Sequence, residues 1–309
     1  MKKHVHHLQH LQHSQIFHKK NTLKISQGNC EKNNNTPLPN SCEENNNQMP
    51  YSGCDNIHMR IRLNRAIAAT GFCSRRKADD LIDKGRVKIN GVPVNKKSIF
   101  VTLSDQIEID NVPLVRPTEN IYIMINKPVG VVCTLSDPQH RKTVLDILPD
   151  RYKKGRIFPV GRLDFFSEGL LILTNDGELA HKMMHPSMHM TKNYEVIIRD
   201  RIDMEKIRQM EKGMLLEDGT RLAPVEATVR YSRDGNTILH LTLYQGINRQ
   251  IRRMCALLDL VILRLRRIAQ GPLRLGNLSS GEARPLKKEE LEALEGFLGS
   301  KSAIKAKEA

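Results

Sequence analysis

The sequence predicts an α+β protein: a small basic module of helices and hairpins, then a larger domain built on a mostly antiparallel sheet. Three observations carry this. Asn90-Gly91 sits between two short stretches of alternating charged and apolar residues, the pattern of a tight β-hairpin, just after two short amphipathic segments. Farther on, strand-like segments are bunched together with helices between them, which suits a sheet of mainly antiparallel neighbours. Between these regions, Gly161 to Gly177 reads as loop, strand and turn. Its centre, Leu170 to Leu173, is an unbroken apolar run bounded by Gly169 and by Asn175-Asp176-Gly177, so a strand covered on both faces is expected.

Composition narrows the class. The chain has 309 residues, 39% of them hydrophobic, and no Trp, enough for two modest domains. No stretch approaches the roughly 20 consecutive apolar residues of a spanning helix, and the N-terminus lacks the apolar core of a secretory signal. The expectation is a cytoplasmic protein without a membrane. Lys and Arg number 49 against 34 Asp and Glu, a formal charge of +15 that points to a polyanionic partner, with nucleic acid the leading candidate. Cys30, Cys42, Cys54, Cys73, Cys133 and Cys255 form no C-x-x-C pair, which leaves a zinc ribbon or a dithiol redox centre unsupported.

Taken in order, residues 1–58 are rich in His, Gln and Asn and read as a disordered extension. Their histidines lack interleaved carboxylate or thiol ligands, and the absence of Arg before Arg60 argues against a transit peptide. Met59 precedes the first well-patterned segment and is an alternative start. From Arg60 the pattern is helical, with Leu63, Ile67 and Ala68 on one face. Gly71 breaks it, and Ser74 is placed to cap a second helix from Arg75 to Lys84 with Ala78, Leu81 and Ile82 inward. The hairpin at Arg86 to Val94 follows, then a second strand pair at Gln106 to Ile109 and Val112 to Val115. Arg75, Arg76, Lys77 and Arg86, crowded with Arg60, Arg62, Arg65, Lys84 and Lys88, make a surface suited to a phosphate backbone.

After Pro117 to Asn120, read as a linker, the second domain runs through a strand from Ile121 to Ile125, a turn at Lys127-Pro128-Val129-Gly130 and a short helix near Thr143 to Leu148. Beyond the central loop and strand come helices at Glu178 to Met184, Met204 to Lys212 and Arg249 to Leu258. Strands are expected at Tyr194 to Ile198, Val225 to Arg230, Thr237 to Leu243 and Val261 to Ile268. A last helix starts at Lys287, and residues 299–309 read as a frayed basic tail. The predicted boundaries are 1–58, 59–117, 118–298 and 299–309.

Two places look chemical. Asp164 lies between Arg162-Leu163 and Phe165-Phe166, a carboxylate among apolar and cationic neighbours, although a lone Asp in a loop also commonly caps a turn. Arg249, Arg252 and Arg253 crowd the start of a helix, where cations oppose the macrodipole and need a carboxylate or phosphate for compensation.

Residues Arg62 to Gly71, Ser74-Arg75-Arg76-Lys77-Ala78, Gly85-Arg86-Val87 and Asn90-Gly91 resemble an S4 domain, which implies binding to structured RNA. Four further motifs resemble the RsuA/RluB-type pseudouridine synthases of ribosomal RNA: Lys127-Pro128-Val129-Gly130, Gly161 through Gly177, Lys192-Asn193-Tyr194, and Asn248 through Met254. The resemblance covers about residues 60 to 298. It implies isomerisation of uridine in ribosomal RNA by a synthase domain on a mostly antiparallel sheet, with no metal and no small-molecule cofactor; a monomer is expected, although the sequence leaves the oligomeric state open.

Carried onto this sequence, the resemblance makes Asp164 the essential carboxylate, as nucleophile or as acceptor of a ribose proton on a glycal route. Tyr194 lies against the extruded base and helps remove its C5 proton, and Arg252 pairs with the carboxylate. Arg162 holds the base out of its stack, while Lys127, Lys192, Arg249 and Arg253 contact RNA. Phe165-Phe166-Ser167 departs from the family, which more often has a less aromatic pair followed by Thr, and Gln245 stands where Glu is usual. Asp137 to Val144 looks more like the large-subunit branch than the small-subunit one. The competing reading is a catalytically silent RNA-binding or assembly factor.

Overall fold

A computed structural model defines residues 60–117, 119–153 and 155–308, with side chains described as far as Ser300. The extension read as disordered lies outside the described residues.

In the N-terminal module, β1 (Ile61–Arg62) leads into α1 (Leu63–Ala69) and α2 (Arg75–Asp83). Helix α2 starts where predicted, because the Ser74 hydroxyl accepts the Lys77 backbone N–H at 3.1 Å and satisfies a donor the first turn leaves open. Ala78, Leu81 and Ile82 then pack on Leu63, Ala66 and Ile67. The hairpin of β2 (Val87–Ile89) and β3 (Val92–Val94) closes through Asn90 at φ 50° and Gly91 at φ 80°, both central residues left-handed as a type I′ turn demands. Two-residue β4 (Phe100–Val101) returns to pair with β1, while β5 (Ile107–Ile109) and β6 (Val112–Pro113) extend the hairpin into a sheet ordered β3-β2-β5-β6. The short β1–β4 pair lay inside what the sequence presents as helix and loop.

The second domain has strands β7 (Tyr122–Lys127), β8 (Phe158–Val160) and β9 (Glu168–Thr174), then α3 (Gly177–Met184). Next come β10 (Lys192–Ile198), α4 (Met204–Lys212), β11 (Glu226–Tyr231), β12 (Thr237–Leu243) and α5 (Gln250–Leu257). Strands β13 (Ile262–Gln270), β14 (Leu273–Arg274) and β15 (Ala283–Pro285) precede α6 (Lys288–Glu308). The sheet runs β11-β12-β10-β13-β9-β7-β15, with β8 on β9 and β14 on β13. Every pairing is antiparallel except β13 with β9, which meet in parallel at Arg266↔Glu168 and Arg267↔Gly169. That parallel joint divides the sheet into two antiparallel halves.

Strand β9 is covered on both faces, as its unbroken apolar run predicts: Leu170 and Ile172 enter one core with Met183 and Leu294, Leu171 and Leu173 the other with Ile123 and Ile157. A third core lies beyond the joint, where β10 and β12 carry α4 and α5. Three local expectations are corrected. Asn175-Asp176-Gly177 forms no hairpin turn; Asp176 caps α3 by accepting from Glu178 and Leu179 N–H. Thr143 to Leu148 is a series of turns, because Asp146 Oδ2 takes the Thr143 N–H and hydroxyl and diverts the backbone from a helix. The backbone read as a tail continues α6 to Glu308.

Candidate active site

The joint between the half-sheets opens into a cleft of about 930 Å³. Asp164 stands in the loop from β8 to β9. Gly161 at φ 79° bends that loop, the Gly130 N–H holds it by donating to Phe165 O at 2.9 Å, and the Leu163 N–H donates to Cys133 Sγ at 3.3 Å. Gly169, at φ 108°, then lets β9 approach β13 closely. A side chain there would put its Cβ 2.7 Å from the Arg267 amide nitrogen, so the joint requires glycine.

Arg252 comes from the first turns of α5, across the joint. Its Nη2 donates to Phe166 O at 2.7 Å and to the buried Ser167 hydroxyl at 3.1 Å, anchoring the guanidinium to the very loop that presents the acid. Its Nε lies 3.6 Å from Asp164 Oδ2. That distance exceeds hydrogen-bond reach, so the attraction is electrostatic and leaves the carboxylate oxygens open to the cleft. Burial pulls the Arg252 guanidinium below its ordinary value, and Asp164 opposes that shift.

Tyr194 projects from β10, its Cα paired with Arg267 on β13 and Leu241 on β12, and its half-buried ring packs against the cores on both sides of the joint. Lys192, two residues earlier, lines the same cleft. Burial, aided by Arg267, lowers its ammonium below the usual lysine range. Asp164, Tyr194, Arg252, Arg162, Lys192 and Arg249 are therefore brought together around one cleft. Arg162 and Arg249 are exposed there, and neither has a carboxylate partner among the described residues.

Other expected contacts part from the cleft. Lys127 is fully buried and donates to Pro128 O at 2.7 Å and Val131 O at 2.8 Å, so it braces the turn after β7 and does not line the cleft. Arg253 turns away to Asp218 at 2.6 Å, and that aspartate, held also by Thr220, stays down at about 2. In the N-terminal module Arg75, Arg76 and Lys77 are exposed on the first turn of α2, whereas Arg86 is engaged bidentately by Asp110 and is not a free cation.

The structure adds residues that the sequence did not single out. Arg267 and Gln270 of β13 are 2% and 3% exposed yet line the cleft. The available signal was an arginine at a core-facing strand position, hidden within Arg264-Leu265-Arg266-Arg267. Asp137 and Arg141 at the rim form a bidentate pair at 2.8 and 2.9 Å, which holds the Asp137 carboxyl at about 2. Gln245, the departure from Glu, accepts the Ala223 N–H at 2.9 Å, a role either side chain can fill. Among the described residues no group of three or more His, Cys, Asp or Glu is placed to hold a metal ion, and no helix is long and apolar enough to cross a membrane.

A basic module in front of a cleft that carries a carboxylate, a tyrosine and a buried guanidinium defines an enzyme acting on a polyanion. Comparison with known proteins gives the particular family. The model of the RNA pseudouridylate synthases matches residues 121–257, and that of the S4 domain matches residues 61–107. An uncharacterised RNA pseudouridine synthase of Aquifex aeolicus is 39% identical over 245 residues, covering 79% of this chain and 97% of that protein. Ribosomal large subunit pseudouridine synthase B of Bacillus subtilis is 39% identical over 235 residues, covering 75% and 95%. The crystal structure of a pseudouridylate synthase superposes with a TM-score of 0.54 at 30% identity, over 76% of this chain and 99% of that one. The chain belongs to the RNA pseudouridylate synthase family, enzymes of the isomerase class, and carries an S4 domain ahead of its synthase domain.

Proposed function

We propose that the protein isomerises uridine to pseudouridine in ribosomal RNA of the large subunit, with Asp164, Tyr194 and Arg252 as its catalytic residues. The observation that carries this reading is the convergence on one cleft of Asp164 and Arg252, 3.6 Å apart, with Tyr194 beside them. The large-subunit target is supported by two relatives: the Bacillus subtilis protein named above and ribosomal large subunit pseudouridine synthase B of Pseudomonas aeruginosa, 35% identical over 255 residues, covering 80% of this chain and 65% of that protein.

In this reaction the N1–C1′ bond breaks, C5 bonds to C1′, a proton leaves C5 and one is taken up at N1. Asp164 serves either by adding to C1′ or by taking the C2′ proton and returning it once C5 has bonded. Both routes require an ionised carboxylate with free oxygens, and the non-bonded approach of Arg252 suits that need. Tyr194 supports the base with its ring and receives or relays the C5 proton through its hydroxyl. A base inside a helix is out of reach, so the uridine must be extruded, and contacts to the surrounding RNA offset a cost of a few kcal/mol. Arg162 and Arg249, exposed at the cleft without carboxylate partners among the described residues, are assigned to that RNA, as are Arg75, Arg76 and Lys77 on the S4 domain.

The test is a carbodiimide map of ribosomal RNA from cells with and without the gene. Loss of one or a few reverse-transcription stops in large-subunit RNA is expected. An unchanged set of stops in both subunits overturns the reading, and stops lost only from small-subunit RNA overturn the target assignment.

A further inference from the structure

Six buried side-chain polar atoms lack a hydrogen-bond partner among the described residues, and four of them belong to residues lining the cleft: Gln250 Oε1, Arg252 Nε, Arg267 Nη2 and Gln270 Oε1. Folding disfavours such atoms, and a cluster of them at one place calls for something that completes their bonding. Arg252 Nε has Asp164 as an electrostatic partner. Arg267 Nη2 and Gln270 Oε1 have no such counterpart among the described residues, and both side chains are nearly fully buried, at 2% and 3% exposure.

They share a face because of an irregularity in the sheet. On β10 the cleft residues Lys192 and Tyr194 are two apart, the normal strand period. Their partners on β13, Gln270 and Arg267, are three apart, because the register shifts between Asn193 and Tyr194. A bulge of this kind re-aims side chains that would otherwise point to opposite faces. The Arg267 stem is fixed as well: its Nε donates to Leu170 O at 2.8 Å, across the parallel joint from the Asp164 loop. What remains is one cationic donor and one amide acceptor, unpartnered among the described residues, in the cleft that Tyr194 also lines.

Uracil offers the matching edge, a donor at N3–H flanked by acceptors at O2 and O4. Cytosine offers a lone pair at N3 and an amino group beside it, and so sets acceptor against acceptor and donor against donor. We propose that Gln270 Oε1 and Arg267 Nη2 read the imide edge of the extruded uracil, the former accepting N3–H and the latter donating to the neighbouring carbonyl. The proposal rests on the cleft being the site of uridine isomerisation. It also gives the base a pivot. A half-turn about the line from N3 to C6 exchanges N1 with C5 and O2 with O4 and leaves N3–H in place, so the same two contacts hold before and after the turn. The guanidinium faces a carbonyl on which negative charge grows as the base departs with the electrons of the N1–C1′ bond, where a fixed cation is most effective.

Two substitutions of Gln270 separate reading from space-filling. In the full chain, acting on the mapped large-subunit RNA labelled with tritium at uridine C5, Gln270→Met is expected to slow single-turnover release of tritium about 10- to 100-fold, the range for a lost hydrogen bond in a buried site. Its RNA affinity by filter binding stays within about two-fold, because phosphate contacts dominate binding. Gln270→Glu keeps the acceptor and is expected to recover most of the rate. The reverse order, Met tolerated and Glu not, overturns the proposal. Wild-type protein supplies an arm that no folding defect can confuse: a synthetic stem–loop with N3-methyluridine at the mapped position should bind and stay unmodified on nuclease digestion and chromatography, and normal conversion would overturn the proposal. If wild-type protein releases no tritium from the unmodified RNA, the isomerisation reading fails first and this inference falls with it.

Discussion

The S4 domain and the synthase cleft are both rich in cations, but the cleft buries several of its own beside the exposed Arg162 and Arg249. On α2, Arg75, Arg76 and Lys77 stand in solvent, and the domain's remaining cations include half-exposed pairs such as Arg86–Asp110 and Lys97–Asp83. In the cleft, Arg252 is 18% exposed, Arg267 is 2% exposed and Lys192 has its ammonium depressed by burial. Exposed cations attract any polyanion, weakly per contact and subject to screening. Buried ones act at short range and in a fixed geometry, so they discriminate between chemical groups. On the proposed function, exposed cations hold RNA and buried ones serve the reaction, and each substitution below presses on one side of that division.

The largest effect is expected from Asp164→Asn, which removes the charge facing Arg252 with little change of shape. Turnover should fall below detection in a tritium-release assay, with RNA affinity retained within a few-fold. Turnover near wild type would remove Asp164 from the chemistry.

Next comes the triple change of Arg75, Arg76 and Lys77 to Ala. Each lost phosphate contact should reduce the slope of log affinity against log salt by roughly 0.7 to 0.9, and binding at moderate salt should weaken markedly. The single-turnover rate at saturating protein should be unaffected. An unaltered slope would take α2 out of the RNA footprint, and a slower saturated rate would blur the division between holding and reacting.

The smallest is Ser167→Ala. Its hydroxyl positions Arg252, which keeps its second anchor on Phe166 O, so a loss of about 1 kcal/mol, or about five-fold in kcat, is expected with KM unchanged. Ser167→Thr restores the acceptor and should restore kcat. A loss shared equally by Thr and Ala would point to packing instead of the hydrogen bond.

Much of the molecule was legible in its residues. Ser74, the Asn90-Gly91 turn and the apolar run of β9 are local signals, and local energetics settled each of them as expected. Asp176 and Asp146 show the limit of that reading, because a short acidic side chain can bond nearby N–H groups and convert an expected turn into a cap, or an expected helix into turns.

At the site, the sequence by itself determined that Asp164, Tyr194 and Arg252 merit attention, that the chain is basic, and that an RNA-binding module comes first. Only the tertiary structure decided which cations line the cleft. Lys127 and Arg86 look available in sequence and are occupied, one by carbonyls of its own turn and the other by Asp110. Arg267 and Gln270 look like ordinary strand residues, yet a register shift turns them together into the cleft while the missing side chain of Gly169 lets the half-sheets close. Periodicity along a chain tells which residues share a face. What lies opposite that face is fixed by pairings between segments far apart in sequence, and those pairings set the burial and the unmet hydrogen bonds of this cleft.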